Sequence, residues 1–63
     1  MTVREILKKL GRDGWFKVRQ TGSHRQFHHA SKPGTVTVAG KPSKTLHPKV
    51  VASILRQAQI SED

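Results

Sequence analysis

The run Gly22-Ser23-His24-Arg25-Gln26-Phe27 places a histidine just past a glycine turn in a strongly basic chain. Imidazole exchanges a proton near neutral pH, with a reference pKa of about 6.5. The surrounding charge draws a polyanion toward it. RNA can be cut without a metal when its own 2′-hydroxyl attacks the adjacent phosphate. That step needs a proton taken from the hydroxyl, a proton given to the leaving 5′-oxygen, and positive charge beside the phosphate. His24 suits either proton transfer, and Arg19 on the preceding strand suits the phosphate. The pattern points to acid–base chemistry on a phosphodiester, with His24 as the candidate catalytic residue.

The remaining histidines fit that step less well. Four residues along one strand span about 13 Å, so His28 is too far from His24 to act on the same phosphate and is expected at most to touch the RNA backbone. His29 should face the other way. Metal binding is the competing use of His24, His28, His29 and His47, but the chain has no cysteine. The pair His24 and His28 is too widely spread for one ion, whose ligands lie about 2 Å away. Neither a metal nor a cofactor is expected.

The 63 residues make one domain, residues 1–63, with a thin core and no room for a deep cofactor pocket. Chemistry must then sit on an open surface, which suits an extended polymer. Twelve Lys and Arg against four Asp and Glu give a net charge of +8. They are spread from Arg4 to Arg56 rather than gathered in a tail, and they point to a nucleic acid partner. No apolar run approaches the roughly 20 residues of a membrane span. The opening Met1-Thr2-Val3-Arg4-Glu5 lacks the basic and apolar stretches of a secretory signal. A cytoplasmic location with no membrane partner is the expectation.

Three kinds of pattern position these side chains. Thr2 and Glu5 have the spacing of a capping box, and Val3, Ile6, Leu7 and Leu10 make one apolar helical face, which Gly11 and Gly14 should end. Strands are expected at Trp15–Gln20, Ser23–His29 and Thr35–Val38, joined by turns at Thr21-Gly22 and Ser31-Lys32-Pro33-Gly34. After the polar loop Gly40–Lys44, His47 and Pro48 read as N-cap and first residue of a second helix running to about Gln59. Its apolar stripe is Val51, Ile54, Leu55 and Ala58, and Ser61-Glu62-Asp63 reads as a frayed end. The order α-β-β-β-α predicts an α+β fold: a three-stranded antiparallel sheet with both helices on one face and the other face open.

A two-residue loop at Thr21-Gly22 would pair Arg19 with His24, Val18 with Arg25, Lys17 with Gln26 and Phe16 with Phe27. Phe16, Val18 and Phe27 then face the helices, while Lys17, Arg19, His24, Gln26 and His28 share the open face. Trp15 falls on the open face in this register, although a lone Trp more often packs in a core. The residues expected to meet RNA are Lys17, Arg19, Gly22, Ser23, Gln26, His28 and Lys32.

Taken together, these residues resemble the HicA family, small toxins of toxin–antitoxin modules that cleave mRNA. The resemblance rests on the amphipathic opening helix, Gly14-Trp15 leading to Val18-Arg19-Gln20, and Gly22-Ser23-His24 with Phe27. It continues through Lys32-Pro33-Gly34, Val36-Thr37-Val38 and the closing Ser53-Ile54-Leu55-Arg56-Gln57-Ala58. It implies a fold like the double-stranded-RNA-binding domain and a metal-independent ribonuclease with its catalytic histidine at His24. It also implies a HicB-type antitoxin partner that blocks the active site. The family often has a Pro-His-rich stretch after the third strand. Ala39-Gly40-Lys41-Pro42 stands there instead, so no histidine is carried over from that loop.

Two rival readings use the same residues. The chain could be a non-catalytic RNA-binding module, since the same fold binds duplex RNA by shape. It could also be an interaction protein whose basic face meets an acidic partner.

Overall fold

The structure is a computed structural model that describes residues 1–61. Glu62 and Asp63, read above as part of a frayed end, lie outside the described residues.

Thr2 opens the first helix, α1 (Val3–Asp13), through the expected capping box. The Thr2 hydroxyl accepts from the Glu5 N–H at 3.3 Å, and the Glu5 carboxylate accepts from the Thr2 N–H at 2.7 Å. The helix runs through Gly11, which was expected to stop it, and ends at Gly14. There the backbone turns left-handed (φ 104°) and the N–H closes onto the carbonyls of Gly11 and Leu10. Only glycine fits at this point. A Cβ on Gly14 would sit 2.8 Å from His29 Nε2, besides the cost of the positive φ.

The sheet has the order β1 (Trp15–Thr21), β2 (His24–His29), β3 (Val36–Val38), antiparallel throughout. The register differs from the one expected. Thr21 pairs with His24, so the two-residue loop is Gly22-Ser23 rather than Thr21-Gly22. Gly22 alone takes a positive φ (59°), the pattern of a type II′ turn with glycine first. The expected loop would have forced β-branched Thr21 into that region.

Farther down the hairpin a β-bulge at Val18 shifts the pairing between Lys17 and Arg19. The extra residue has no partner, and the alternation of faces flips across it. Trp15 and Lys17 therefore lie on the helix side, opposite His29 and Phe27, whereas Phe16 pairs with His28 on the open face. This corrects the expected faces of Phe16, Val18 and Lys17, and it gives Trp15 the core place that a lone Trp more often takes. Trp15 is a core residue at 3 % exposure, while Phe16 and Val18 are exposed at 51 % and 46 %. Lys17 leaves the open face, and its ammonium binds the Gln20 side chain at 2.6 Å.

α1 lies against β1, and the second helix, α2 (Pro48–Gln57), against β3. Between them and the sheet sits one core of Val3, Ile6 and Leu10, Trp15 and Phe27, Val36 and Val38, Leu46, and Val51, Ile54, Leu55 and Ala58. The segment after β3 is tied to the start of α1, where Val3 and Arg4 N–H donate to the Lys44 and Pro42 carbonyls and Leu46 N–H to Met1. That lacing seats Leu46 in the core and fixes where His47 and α2 begin. Arg25 shares the helix-side face with Val38 and is accommodated there by donating to the Ser23 and Gly40 carbonyls.

α2 ends two residues sooner than expected, in a Schellman motif. The Gln59 N–H binds the Arg56 carbonyl and the Ile60 N–H binds the Leu55 carbonyl. Gln59 takes the left-handed conformation (φ 54°), the one non-glycine residue among those described to do so. That conformation costs a side-chain-bearing residue about 1 kcal/mol or more. Replacing Gln59 with Gly should raise stability by about 0.5–1 kcal/mol once glycine's greater unfolded-state entropy is subtracted, read as a higher urea midpoint.

Candidate active site

His24 opens β2 directly after the Gly22-Ser23 turn, opposite Thr21. Arg19 pairs with Gln26, and Gln26 with Thr37 across the other side. Because partners and alternate residues share a face, His24, Gln26, Arg19, Thr21 and Thr37 form one contiguous patch on the open side. They line a shallow groove of about 290 Å³. Arg19 is thus beside His24 as expected, but diagonally rather than directly opposite.

His24 also borders a second and larger space. A cleft of about 690 Å³ runs between β3 and α2, and His24 and Thr37 form its sheet-side rim. The opposite rim carries Lys44, His47 and Lys49, and Leu46, Val50 and Ile54 are among the apolar residues that line it. His24 stands where groove and cleft meet. The sequence had offered His47 as a helix cap and as one of four histidines weighed for metal binding. Its place in the same cleft as His24 depends on the lacing of residues 42–46 to α1, which no local pattern reveals.

The cations of the molecule divide into those already bound and those left free. Neither the His24 ring nor the Arg19 guanidinium has a hydrogen-bond or ion-pair partner among the described residues. Lys32, expected to meet RNA, is fully engaged at the other end of the sheet. Its ammonium has three N–H donors, and it reaches Asp13 Oδ2 at 2.5 Å and the carbonyls of Gln59 and Ala58 at 2.9 and 3.3 Å. His28 is exposed on the open face, opposite Phe16, with Nε2 3.1 Å from the Thr35 hydroxyl. Gly22 and Ser23 form the exposed turn itself. Of the seven residues expected to meet RNA, the fold gathers Arg19, Gln26, Gly22 and Ser23 around His24. It places Lys17, His28 and Lys32 elsewhere.

His29 is a structural histidine. Its Nε2–H donates to the Asp13 carbonyl at 2.6 Å, and Nδ1 accepts from the backbone N–H groups of Ser31 and Lys32 at 3.0 and 3.2 Å. Its ring meets Trp15 edge to face at 5.2 Å, and Trp15 Nε1–H in turn donates to the Ala58 carbonyl. Among the described residues no three His, Cys, Asp or Glu cluster as a metal site requires.

A family model for the HicA toxin of bacterial toxin–antitoxin modules matches residues 3–60. The chain belongs to the HicA toxin family. The match spans both helices and the whole sheet, including the turn that carries His24. No curated protein matches the chain. Membership places this protein among the toxins of two-component modules, and so implies an antitoxin partner. No helix of the described residues is long and apolar enough to cross a membrane.

The far end of this HicA-family domain is held by the ion pair of Asp13 with Lys32. The hydrogen bond from Lys32, and then the positive charge of Lys32, hold the Asp13 carboxyl below its ordinary pKa. A carboxyl depressed in the folded state stabilises fully above its unfolded pKa and loses that contribution as pH falls through the folded value. Asp13→Asn should therefore flatten the loss of stability on acidification, followed by urea midpoints across the acid range. What remains should include the share of Glu5, whose carboxyl is lowered by its bonds to Thr2.

Proposed function

We propose that this protein is a metal-independent endoribonuclease, the mRNA-cutting toxin of its module, with His24 as its acid–base residue. The observation that carries the reading is the meeting of groove and cleft at His24, beside Arg19, neither of which has a partner among the described residues. A phosphate at that junction lies within reach of both. The 2′-oxygen of the preceding nucleotide attacks phosphorus as its proton passes to a neutral imidazole. The bond from phosphorus to the 5′-oxygen breaks, and that oxygen takes the proton back from the imidazolium. The products are a 2′,3′-cyclic phosphate and a free 5′-hydroxyl. Arg19 offsets the charge that builds on the phosphoryl oxygens. Gln26 and the Gly22-Ser23 turn flank the path of the strand.

Single-stranded RNA fits this surface better than a duplex. Recognition of double-stranded RNA by the related fold spans about 16 base pairs, and the groove and cleft offer room for only a few nucleotides. The partner is a HicB-type antitoxin that covers the His24 face. Phe16 and Val18, exposed on that side, give it apolar surface to bury. An enzyme that cuts mRNA works in the cytoplasm.

The test is cleavage of unstructured RNA in EDTA by the parent protein and by His24→Ala. The parent should leave 2′,3′-cyclic phosphate ends, and the variant should cut at least about 10²-fold more slowly, the lower end of what general acid–base catalysis contributes. RNA affinity should change little. If both proteins bind RNA and neither cuts it, the chain is a binding module. Arg19 is tested separately: Arg19→Gln should lower the slope of log affinity against log salt by about one unit.

A further inference from the structure

His47 lines the same cleft as His24 and approaches it from the start of α2. Its ring orientation is set by the backbone. Nδ1 accepts from the Lys49 N–H at 3.0 Å, the N-cap bond of the helix. An imidazole that accepts at Nδ1 carries its proton on Nε2. That N–H lies on the far side of the ring from the cap, and it has no partner among the described residues. Lys44 and Lys49 line the same rim, so the local charge favours an anion there.

Capping alone does not call for histidine. Ser, Thr, Asp and Asn are the preferred residues at this position. What histidine adds is a second polar atom, held rigidly because the first is bound. The same bond restricts what the ring can do. To act as a base, Nε2 would have to lose its proton to Nδ1. To act as a cationic acid, Nδ1 would have to gain one. Either change puts a proton where the Lys49 N–H already points.

We propose that His47 is a second catalytic residue of the cleft, a neutral donor whose Nε2–H binds a non-bridging oxygen of the RNA phosphate on which His24 acts. The assignment rests on the ribonuclease reading above. It divides the work between two histidines: His24 moves protons, and His47 binds charge as it develops. The chemical class of ligand is a phosphodiester anion.

Two substitutions separate the ends of the ring. His47→Ser keeps a cap for the Lys49 N–H and deletes the distal donor. His47→Gln gives up the preferred cap and restores an N–H donor near the position of Nε2. Loss of one preorganised donor lowers kcat on the order of 10²-fold. His47→Ser should show that loss with unfolding temperature and KM for RNA near those of the parent. His47→Gln should melt lower than the parent yet recover most of the turnover. The pH dependence of kcat should keep its shape in both, since neither removes a group that moves a proton.

Full turnover in His47→Ser overturns the proposal. So does a loss in both variants that follows thermal stability, which would make His47 a cap and nothing more. Loss of one limb of the pH profile would overturn the donor role in favour of proton transfer. The ribonuclease reading is judged in the same assay by the parent and His24→Ala. If the parent does not cut, both ideas fall together; if it cuts, His24→Ala is inactive and His47→Ser is fully active, only this one does.

Discussion

The extra residue at Val18 is the constraint on which the rest of this molecule depends. β1 must bury Trp15 at its first position and present Arg19 and Thr21 to the opposite side at its end. All three positions are odd-numbered, and an unbroken strand puts every second side chain on one face. A regular β1 would therefore either strand Trp15 in solvent or turn Arg19 into the core. The bulge removes the conflict by inserting one residue, so each half of the strand keeps its own alternation. The exposure of Val18 and Phe16 follows from that arrangement.

What Trp15 gains by being inside is a place in a linked set of contacts that closes the far end of the fold. Its indole N–H satisfies the Ala58 carbonyl, one of those left over at the end of α2. Lys32 satisfies the same carbonyl and that of Gln59, and also binds Asp13 at the end of α1. His29 bridges Asp13 to the backbone of the turn after β2. The carbonyl ends of both helices are thus fastened to the sheet by side chains from β1, β2 and the turn that follows. His29 and Lys32 are consumed by structure at this end. Arg19, beside His24, has no partner among the described residues and leaves its charge available to a ligand on the open face.

The order of elements was legible in the sequence because each carries a local signature: the Thr2–Glu5 box, the apolar stripes of the helices, and Pro48 at the first turn of α2. The place of His24 just past a glycine turn was legible as well, but its partner was not, since the shifted loop sets it opposite Thr21 rather than Arg19. The face assignments near the start of β1 were not. A bulge leaves no mark in a pattern of alternating residue types, and the expectation that Phe16 and Val18 face inward followed from assuming none. Lys32 was misplaced for a related reason. A lysine in a turn reads the same whether it is solvated or caps a helix far away in sequence. The neighbourhood of His47 was hidden because it rests on backbone bonds between the segment after β3 and α1.

A small domain that cannot enclose its substrate has to organise the reacting groups by other means. On the proposed reading, the means are unequal rigidity. His47 is held by the first turn of a helix whose position is fixed through Leu46 and α1, so its free N–H points in one direction before any ligand arrives. His24 is exposed at the lip of a turn, and its ring has no partner among the described residues to hold it. A group that binds developing charge gains from being fixed, because no reorganisation is needed when the charge appears. A group that first accepts and then releases a proton must be unencumbered at both nitrogens. The hydrogen bonds divide those properties between the two histidines, so on that reading two exposed side chains would serve one phosphate without a deep pocket around them.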